Sequence, residues 1–348
     1  MADKSGVRSF RVSDAGVPCK RSSEASGKSL ANIIHFIKPL PLLIPSPTPI
    51  LSMQSMIPTL FRPIAVAAVL LVSIPTLDAV ADESKGAAPL KVLLVAGGCC
   101  HDYKTQTKLL KEGIESRIHA DVTVVLSPNT STETTFEIYE SDDWADGYDV
   151  IIHDECSANV TEKPYVNRIL DAHRKGVPAV NLHCAMHSYR WGDFRQPVEP
   201  GAENAGWYEM IGVQSTGHGP KSPIDVIFSD QEHPITKGLE NWTTIDEELY
   251  NNVRVYAGTS VLVKGDQMMA PNKKTLKKNP DAKPKQATAV IAWTNEYGPE
   301  KTRIFSTSLG HQNDTVANDK YLDFVVRGLL WATGNLTEDG KPASGLTK

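Results

Sequence analysis

Cysteine is scarce in this 348-residue chain, with five in all: Cys19, Cys99, Cys100, Cys156 and Cys184. None forms a Cys-x-x-Cys pair, so neither a zinc ribbon nor the disulfide framework of a small exported domain fits. Long hydrophobic runs are missing too. The apolar stretch from Ile64 to Ile74 is far short of the roughly 20 residues that a membrane helix needs, and no second run of that length follows. An integral membrane span is therefore not expected. No His-x-His or His-Glu-x-x-His element is present, so spacing alone offers no metal site. Positive charge is in deficit, with 36 Lys and Arg against 41 Asp and Glu, which disfavours a nucleic-acid partner.

What is present begins with an address. Residues 56–81 carry Arg62, then the apolar run, then Ala79-Val80-Ala81 ahead of Asp82-Glu83, the three-part anatomy of a secretory signal peptide. The Ser-, Pro- and Lys-rich stretch before it has no sustained period, and Met53 or Met56 would serve as a start. The expectation is an exported, periplasmic or extracellular protein: residues 1–81 an extension plus signal, 82–90 a short linker, 91–336 the folded domain and 337–348 a tail. Without residues 1–81 the chain keeps 267 residues and a net charge of −9, with all six Trp and all ten Tyr. That length and composition exclude disorder and can bury a core.

Lys91 to Ala96 reads as a fully buried strand, followed by a helical stripe at Leu110, Ile114 and Ile118. Val122 to Leu126, Asp149 to His153 and Pro178 to Leu182 are further strands, with a helix between Thr161 and Arg174. Such strand-helix alternation predicts a mostly parallel sheet covered on both faces. Beyond Gly192 the expected strands are Ile224–Phe228, Ser260–Val263, Ala289–Trp293 and Arg303–Thr307, and Asp319 to Thr333 closes as a helix. A Lys- and Pro-rich segment, about 264–287, reads as a solvated loop.

In such a sheet, ligands bind where the strands' carboxyl ends converge. Three exits are rich in polar groups: Gly97-Gly98-Cys99-Cys100-His101-Asp102-Tyr103, His153-Asp154-Glu155, and His183-Cys184-Ala185-Met186-His187. Gly97 and Gly98 lack the spacing of a dinucleotide or Walker cradle, leaving either a turn that admits a ligand or a turn needing glycine only for its dihedrals. Adjacent cysteines such as Cys99 and Cys100 rarely pair. Further polar clusters surround His218, His233, Glu248 and His311. His101, His183, His218 and His311 stand out because each lies beside glycine or at a strand exit, whereas His35, His119 and His173 read as structural.

Seven segments in order carry a family resemblance: GG-x-x-HDY (97–103), NLHCAMH (181–187), GHGP (217–220), HPIT-x-GL (233–239), DEELY (246–250), AWTNEYGPEKTRIFSTSLGH (292–311) and GLLWATGNL (328–336). They resemble the ThuA-like, or trehalose-utilisation, family over nearly all of Lys91 to Leu336. The resemblance implies a flavodoxin-like, class I glutamine amidotransferase-like three-layer α/β sandwich. It sets His183 at the amidotransferase nucleophile position, with Asn181 and Cys184 departing from the family's commoner Gly-Leu-His-Ser. An elbow histidine suits acid/base or metal chemistry better than acyl transfer, and His311 is followed by Gln312 and Asn313 where a His-x-Glu would be needed. Glutamine hydrolysis is not expected.

The family's link to carbohydrates, including keto-sugars, implies an enzyme acting on a sugar or keto-sugar by histidine-centred acid/base chemistry, such as removal of a proton beside a sugar ketone. The expected catalytic set is His183, His101, His218, Glu248 and His311, with Asp246 and Glu247 as further carboxylates; Gly97, Gly98, Asp102, Tyr103, Trp191, Trp207 and Tyr250 would contact the saccharide, and Tyr208 could stack on it. A divalent metal is an open possibility, with His101, His183 and His218 as candidate ligands. Two other readings stay open: a non-catalytic sugar-binding or envelope module, and a cysteine hydrolase using Cys184 with His187 or His311.

Overall fold

The computed structural model describes residues 88–271 and 273–348. The leader expected at 56–81, the starts at Met53 and Met56, and His35 lie outside them. Strands β1 (Leu90–Gly98), β2 (Ala120–Leu126), β3 (Val150–Cys156) and β4 (Ala179–Leu182) alternate with helices α1 (Tyr103–Arg117) and α2 (Lys163–Arg174). Their pairings are all parallel, in the order β2-β1-β3-β4 known from flavodoxin-like sheets. β3 is buried along its whole length, as a central parallel strand covered on both faces must be. Helix α1 starts where the Asp102 side chain accepts a hydrogen bond from Thr105 N at 3.2 Å.

The second half departs from expectation. After α3 (Gly206–Ile211) come β5 (Val213–Phe228), β6 (Trp242–Val255), β7 (Ser260–Met269), the short α4 (Lys273–Lys278), β8 (Lys285–Tyr297) and β9 (Thr302–Thr307). Only β9 joins the sheet in parallel, beside β4; β8, β7, β5 and β6 add on antiparallel, giving a nine-stranded mixed sheet among the described residues. The mostly parallel sheet is therefore corrected to one that is half parallel. The expected loop at 264–287 is largely the β7–β8 hairpin, whose ladder runs out to Met269 opposite Lys285. Lysine disfavours strands, but antiparallel pairing with one solvated face accepts it.

β6 is absent from the sequence reading because Glu247, Glu248, Leu249 and Tyr250 are buried in succession, which erases the two-residue alternation of a half-buried strand. β5 and β6 pair with register shifts at four places. Bulges of this kind bend a ribbon and re-aim its side chains.

The chain closes with α5 (Asn313–Val316) and α6 (Asp319–Ala332). Gly328 lets α6 approach the sheet closely, since a Cβ there would stand 2.2 Å from Phe305. The tail after Leu336 docks: Thr347 bridges Ile118, and Leu346 is buried. Apolar clusters fill both faces of the sheet, one around Leu94, Ile114, Phe305 and Leu329, the other around Leu93, Ile151, Trp207 and Trp293.

Candidate functional site

Five elements deliver polar side chains to one place. His101 follows β1, His183 follows β4, His311 follows β9, His218 stands on β5, and Glu248 and Tyr250 stand on β6. His183 occupies the sharp turn into a 3₁₀ segment (His183–His187) with φ of +36°. A non-glycine residue there is held by its surroundings, as nucleophile elbows are. Gly310, with φ of +119°, precedes His311, and a Cβ at that position would lie 2.7 Å from the Tyr321 hydroxyl.

Glu248 is the hub. Its carboxylate oxygens lie 3.6 Å from His183 Nε2, 3.3 Å from His311 Nδ1 and 3.5 Å from His218 Nδ1. His311 Nδ1 is buried and, despite that proximity, makes no hydrogen bond. His183 Nδ1 lies 2.7 Å from the Ser308 carbonyl, which fixes that nitrogen as the N–H donor and turns Nε2 toward Glu248 and the Tyr250 hydroxyl, 3.3 Å away. His101 packs edge-on to both rings, 4.8 Å from His183 and 4.7 Å from His311 between centroids. Its Nε2 faces Cys184 Sγ at 2.9 Å. Only His218 is substantially exposed, at 41% of its side chain, so it marks the mouth.

Burial opposes charge on His183, but the Glu248 and Glu247 carboxylates outweigh it and raise its pKa. Burial would raise Glu248, yet His183 and His311 hold it below the usual carboxylate range. His101 is kept well below the ordinary histidine value by burial and by His183 and His311, so it is a neutral ring. Asp154 is pushed well up by burial; His183 opposes the rise and Glu155 adds to it.

The expected residues divide. His101, His183, His218, His311, Glu248 and Tyr250 converge. Trp207 does not face the site: it is buried, and its indole donates to Ala185 O at 2.8 Å. Tyr208 is buried in a separate small cluster. Trp191 packs at the edge of the core. Asp102 caps α1 and accepts from Asn313 Nδ2 at 3.0 Å, while Tyr103 is buried beside Cys156 and Cys184. Gly98 answers to packing, since a Cβ there would meet the Cys156 carbonyl at 2.4 Å. Cys99 and Cys100 are disulfide-bonded, against the expectation for neighbours, with Cys100 at φ of +86°. A groove of about 470 Å³ on the β5, β7 and β8 ribbons, lined by residues such as Asp225, Asp266 and Met268, contains none of these histidines.

Two contributions went unread. Glu247 accepts the backbone N–H groups of His311 and Gln312, each at 3.1 Å, and so holds the His311 turn in place. His187 stacks on Tyr250 at 4.3 Å and bonds Ser215 Oγ at 2.9 Å, so it is not beside Cys184 as a catalytic base. The acidic run Asp246-Glu247-Glu248 signalled the first of these, but not which carboxylate faces which way.

The ligand atoms of His183, Glu248 and His311 lie within 4.8 Å of one another, and so do those of His101, His183 and Cys184. His218, a candidate ligand from sequence, is in neither group. The family model described as trehalose utilisation, ThuA, matches residues 91–332. The chain belongs to the ThuA family. Among solved structures it is similar to a ThuA-like protein from Parabacteroides merdae, at 18% identity and a TM-score of 0.50, covering 74% of this chain and 97% of that one. A cytoplasmic protein from Salmonella typhimurium aligns at 13% identity and a TM-score of 0.43, over 70% of this chain and 99% of that one. No curated protein matches the sequence. These likenesses concern the fold, and among the described residues no helix is long and apolar enough to cross a membrane.

Proposed function

We propose that this ThuA-family chain is an exported carbohydrate-active enzyme that removes a proton beside the carbonyl of a sugar or keto-sugar, around a divalent cation held by His183, Glu248 and His311. The observation that carries the reading is the spacing within that triad. Glu248 oxygens stand 3.6 Å and 3.3 Å from the two histidine nitrogens, longer than the 2.7–2.9 Å or so of charge-assisted hydrogen bonds. Two ligand atoms each about 2.0–2.1 Å from a tetrahedral ion lie about 3.4 Å apart, which matches. The carbonyl behind His183 Nδ1 is the usual second partner of a metal-binding histidine.

A cation with three protein ligands keeps a position open and can hold the developing enolate oxygen. His218, the exposed ring at the mouth, would take the proton and meet the saccharide hydroxyls, with His101 a neutral ring beside the cation. This changes the metal set expected from sequence: His311 and Glu248 replace His101 and His218. Glutamine hydrolysis is left aside because His183 occupies the elbow. The Cys184 reading weakens because its thiol is raised well above the usual value, by its contact with Cys156 and by burial, and a protonated thiol is a poor nucleophile.

The test has two arms. Purified protein should carry or take up about one zinc or manganese ion, lost in His311→Ala, and should convert a keto-disaccharide with product visible by NMR. Saturable saccharide binding without product over hours would leave a binding module instead. Export is tested by fractionating cells that express the full chain and sequencing the mature N-terminus; full-length protein retained in the cytoplasm overturns it.

A further inference from the structure

The sulfur atoms form a second chemical centre. β1 and β3 are register neighbours, with Gly98 opposite Cys156. Because Gly98 has no side chain, the two backbones approach closely and Cys99 arrives beside Cys156, Sγ to Sγ 3.4 Å. Cys99 is already bonded to Cys100. Cys100 is exposed, Cys99 half-buried and Cys156 buried, so the sulfurs run from solvent into the protein. Cys156 packs with Cys184 and Tyr103 in one small cluster. The place is also where the strand order reverses, between β1 and β3, the crevice in which sheets of this kind take small molecules.

We propose that Cys156 and the Cys99–Cys100 disulfide form a thiol–disulfide exchange site that opens to small-molecule disulfides through Cys100. The Cys156 thiol gives up its proton to solvent, and its sulfur attacks Cys99 Sγ. A Cys156–Cys99 bond forms and the Cys99–Cys100 bond breaks. Its electron pair leaves on Cys100 Sγ, which takes up a proton. Oxidation state is unchanged, and the free thiol has moved from a buried position to an exposed one. There it attacks a small disulfide R–S–S–R, forming Cys100–S–S–R and releasing R–SH. Exchange of this kind needs only a thiolate with access to a disulfide sulfur, and 3.4 Å is near van der Waals contact. Nothing here depends on the carbohydrate reading of the histidine site.

The probe is oxidised glutathione applied to the full chain, followed by acid quench, blocking of free thiols with N-ethylmaleimide, and peptide mass spectrometry without reductant. The wild type should yield glutathionylated Cys100 together with a Cys99–Cys156 linkage. In Cys156→Ser the adduct should fall to background and the Cys99–Cys100 linkage should persist. Cys100→Ser should form the Cys99–Cys156 linkage directly in a glutathione redox buffer, and circular dichroism identifies any variant that has not folded. The proposal is overturned if the wild type keeps its Cys99–Cys100 linkage without an adduct. It is equally overturned if Cys156→Ser is glutathionylated as fast as wild type, or if folded Cys100→Ser leaves Cys99 and Cys156 both blocked by the maleimide.

Discussion

Two clusters in this protein pair a buried carboxylate with histidines, and they differ in what their polar atoms are given. On β3, Glu155 Oε1 receives the Tyr139 and Tyr189 hydroxyls and lies 3.0 Å from His153 Nδ1; His153 Nε2 meets His173 Nε2 at 3.0 Å, and His173 Nδ1 reaches the Val177 carbonyl at 2.7 Å. Glu155, His153 and His173 are completely buried and ringed by Trp144 and Trp207. Each cluster leaves one buried polar atom without a hydrogen bond, Glu155 Oε2 in the first and His311 Nδ1 in the second, but around Glu248 the histidine contacts are longer, at 3.3–3.6 Å, and His218 opens to solvent. The same residue types are sealed in the core in one place and reachable from solvent in the other, and only the second suits the proposed chemistry.

The largest expected contrast comes from removing each carboxylate. Glu248→Gln should lower the proposed keto-sugar turnover by about two to four orders of magnitude, the range for a lost acid/base or ligand group, with little change in melting temperature. Glu155→Ala should do the reverse. Breaking a buried pair costs about 3–5 kcal/mol, so chemical denaturation should report that loss while turnover per folded molecule stays near wild type. A Glu155 variant that kept full stability, or a Glu248 variant that unfolded, would erase the distinction.

The parallel half of the fold was legible in the sequence because a strand buried on both faces reads as an unbroken apolar run: Val92 to Ala96 and Val150 to Ile152 are buried throughout within β1 and β3, although Lys91 is exposed and Asp149 precedes its strand. β6 was not, because the residues buried in succession begin with Glu247 and Glu248, one on each face, and a buried carboxylate looks like a surface one until its partners are known. His101, His183 and His311 were recoverable as strand exits. That Glu248 bridges His183, His218 and His311 could not be read, since β6 lies at the far edge of the sheet order and returns only through the bulged β5–β6 ribbon. Trp207 misled for the opposite reason: an aromatic residue in an irregular stretch suggests a stacking platform, yet this one fills the core.

A smaller test uses pH. His173 is lowered to about 3 by burial and by His153, against an ordinary value of 6.5. The unfolded chain therefore binds a proton there that the folded chain refuses. The stabilisation is complete above about 6.5 and is lost as pH falls toward about 3, with a slope from this ring of at most about 1.4 kcal/mol per pH unit. Urea unfolding across that window should show the decline, and His173→Gln should flatten part of it. An unchanged slope in that variant would mean that other groups carry the acid sensitivity.

The smallest effect is the most discriminating within the open cluster. Tyr250→Phe removes one hydroxyl, 3.3 Å from His183 Nε2, and leaves the ring that stacks on His187. If Nε2 serves a cation, the hydroxyl is a bystander, and the variant should hold zinc or manganese as tightly as wild type while losing about 0.5–1.5 kcal/mol of stability. If Nε2 works instead as a metal-free acid paired with Glu248, the hydroxyl helps to hold the ring. The pH profile of turnover would then shift with the mutation while metal content stayed at zero. Titration calorimetry and a pH–rate profile on this single variant decide between the two uses of the same nitrogen.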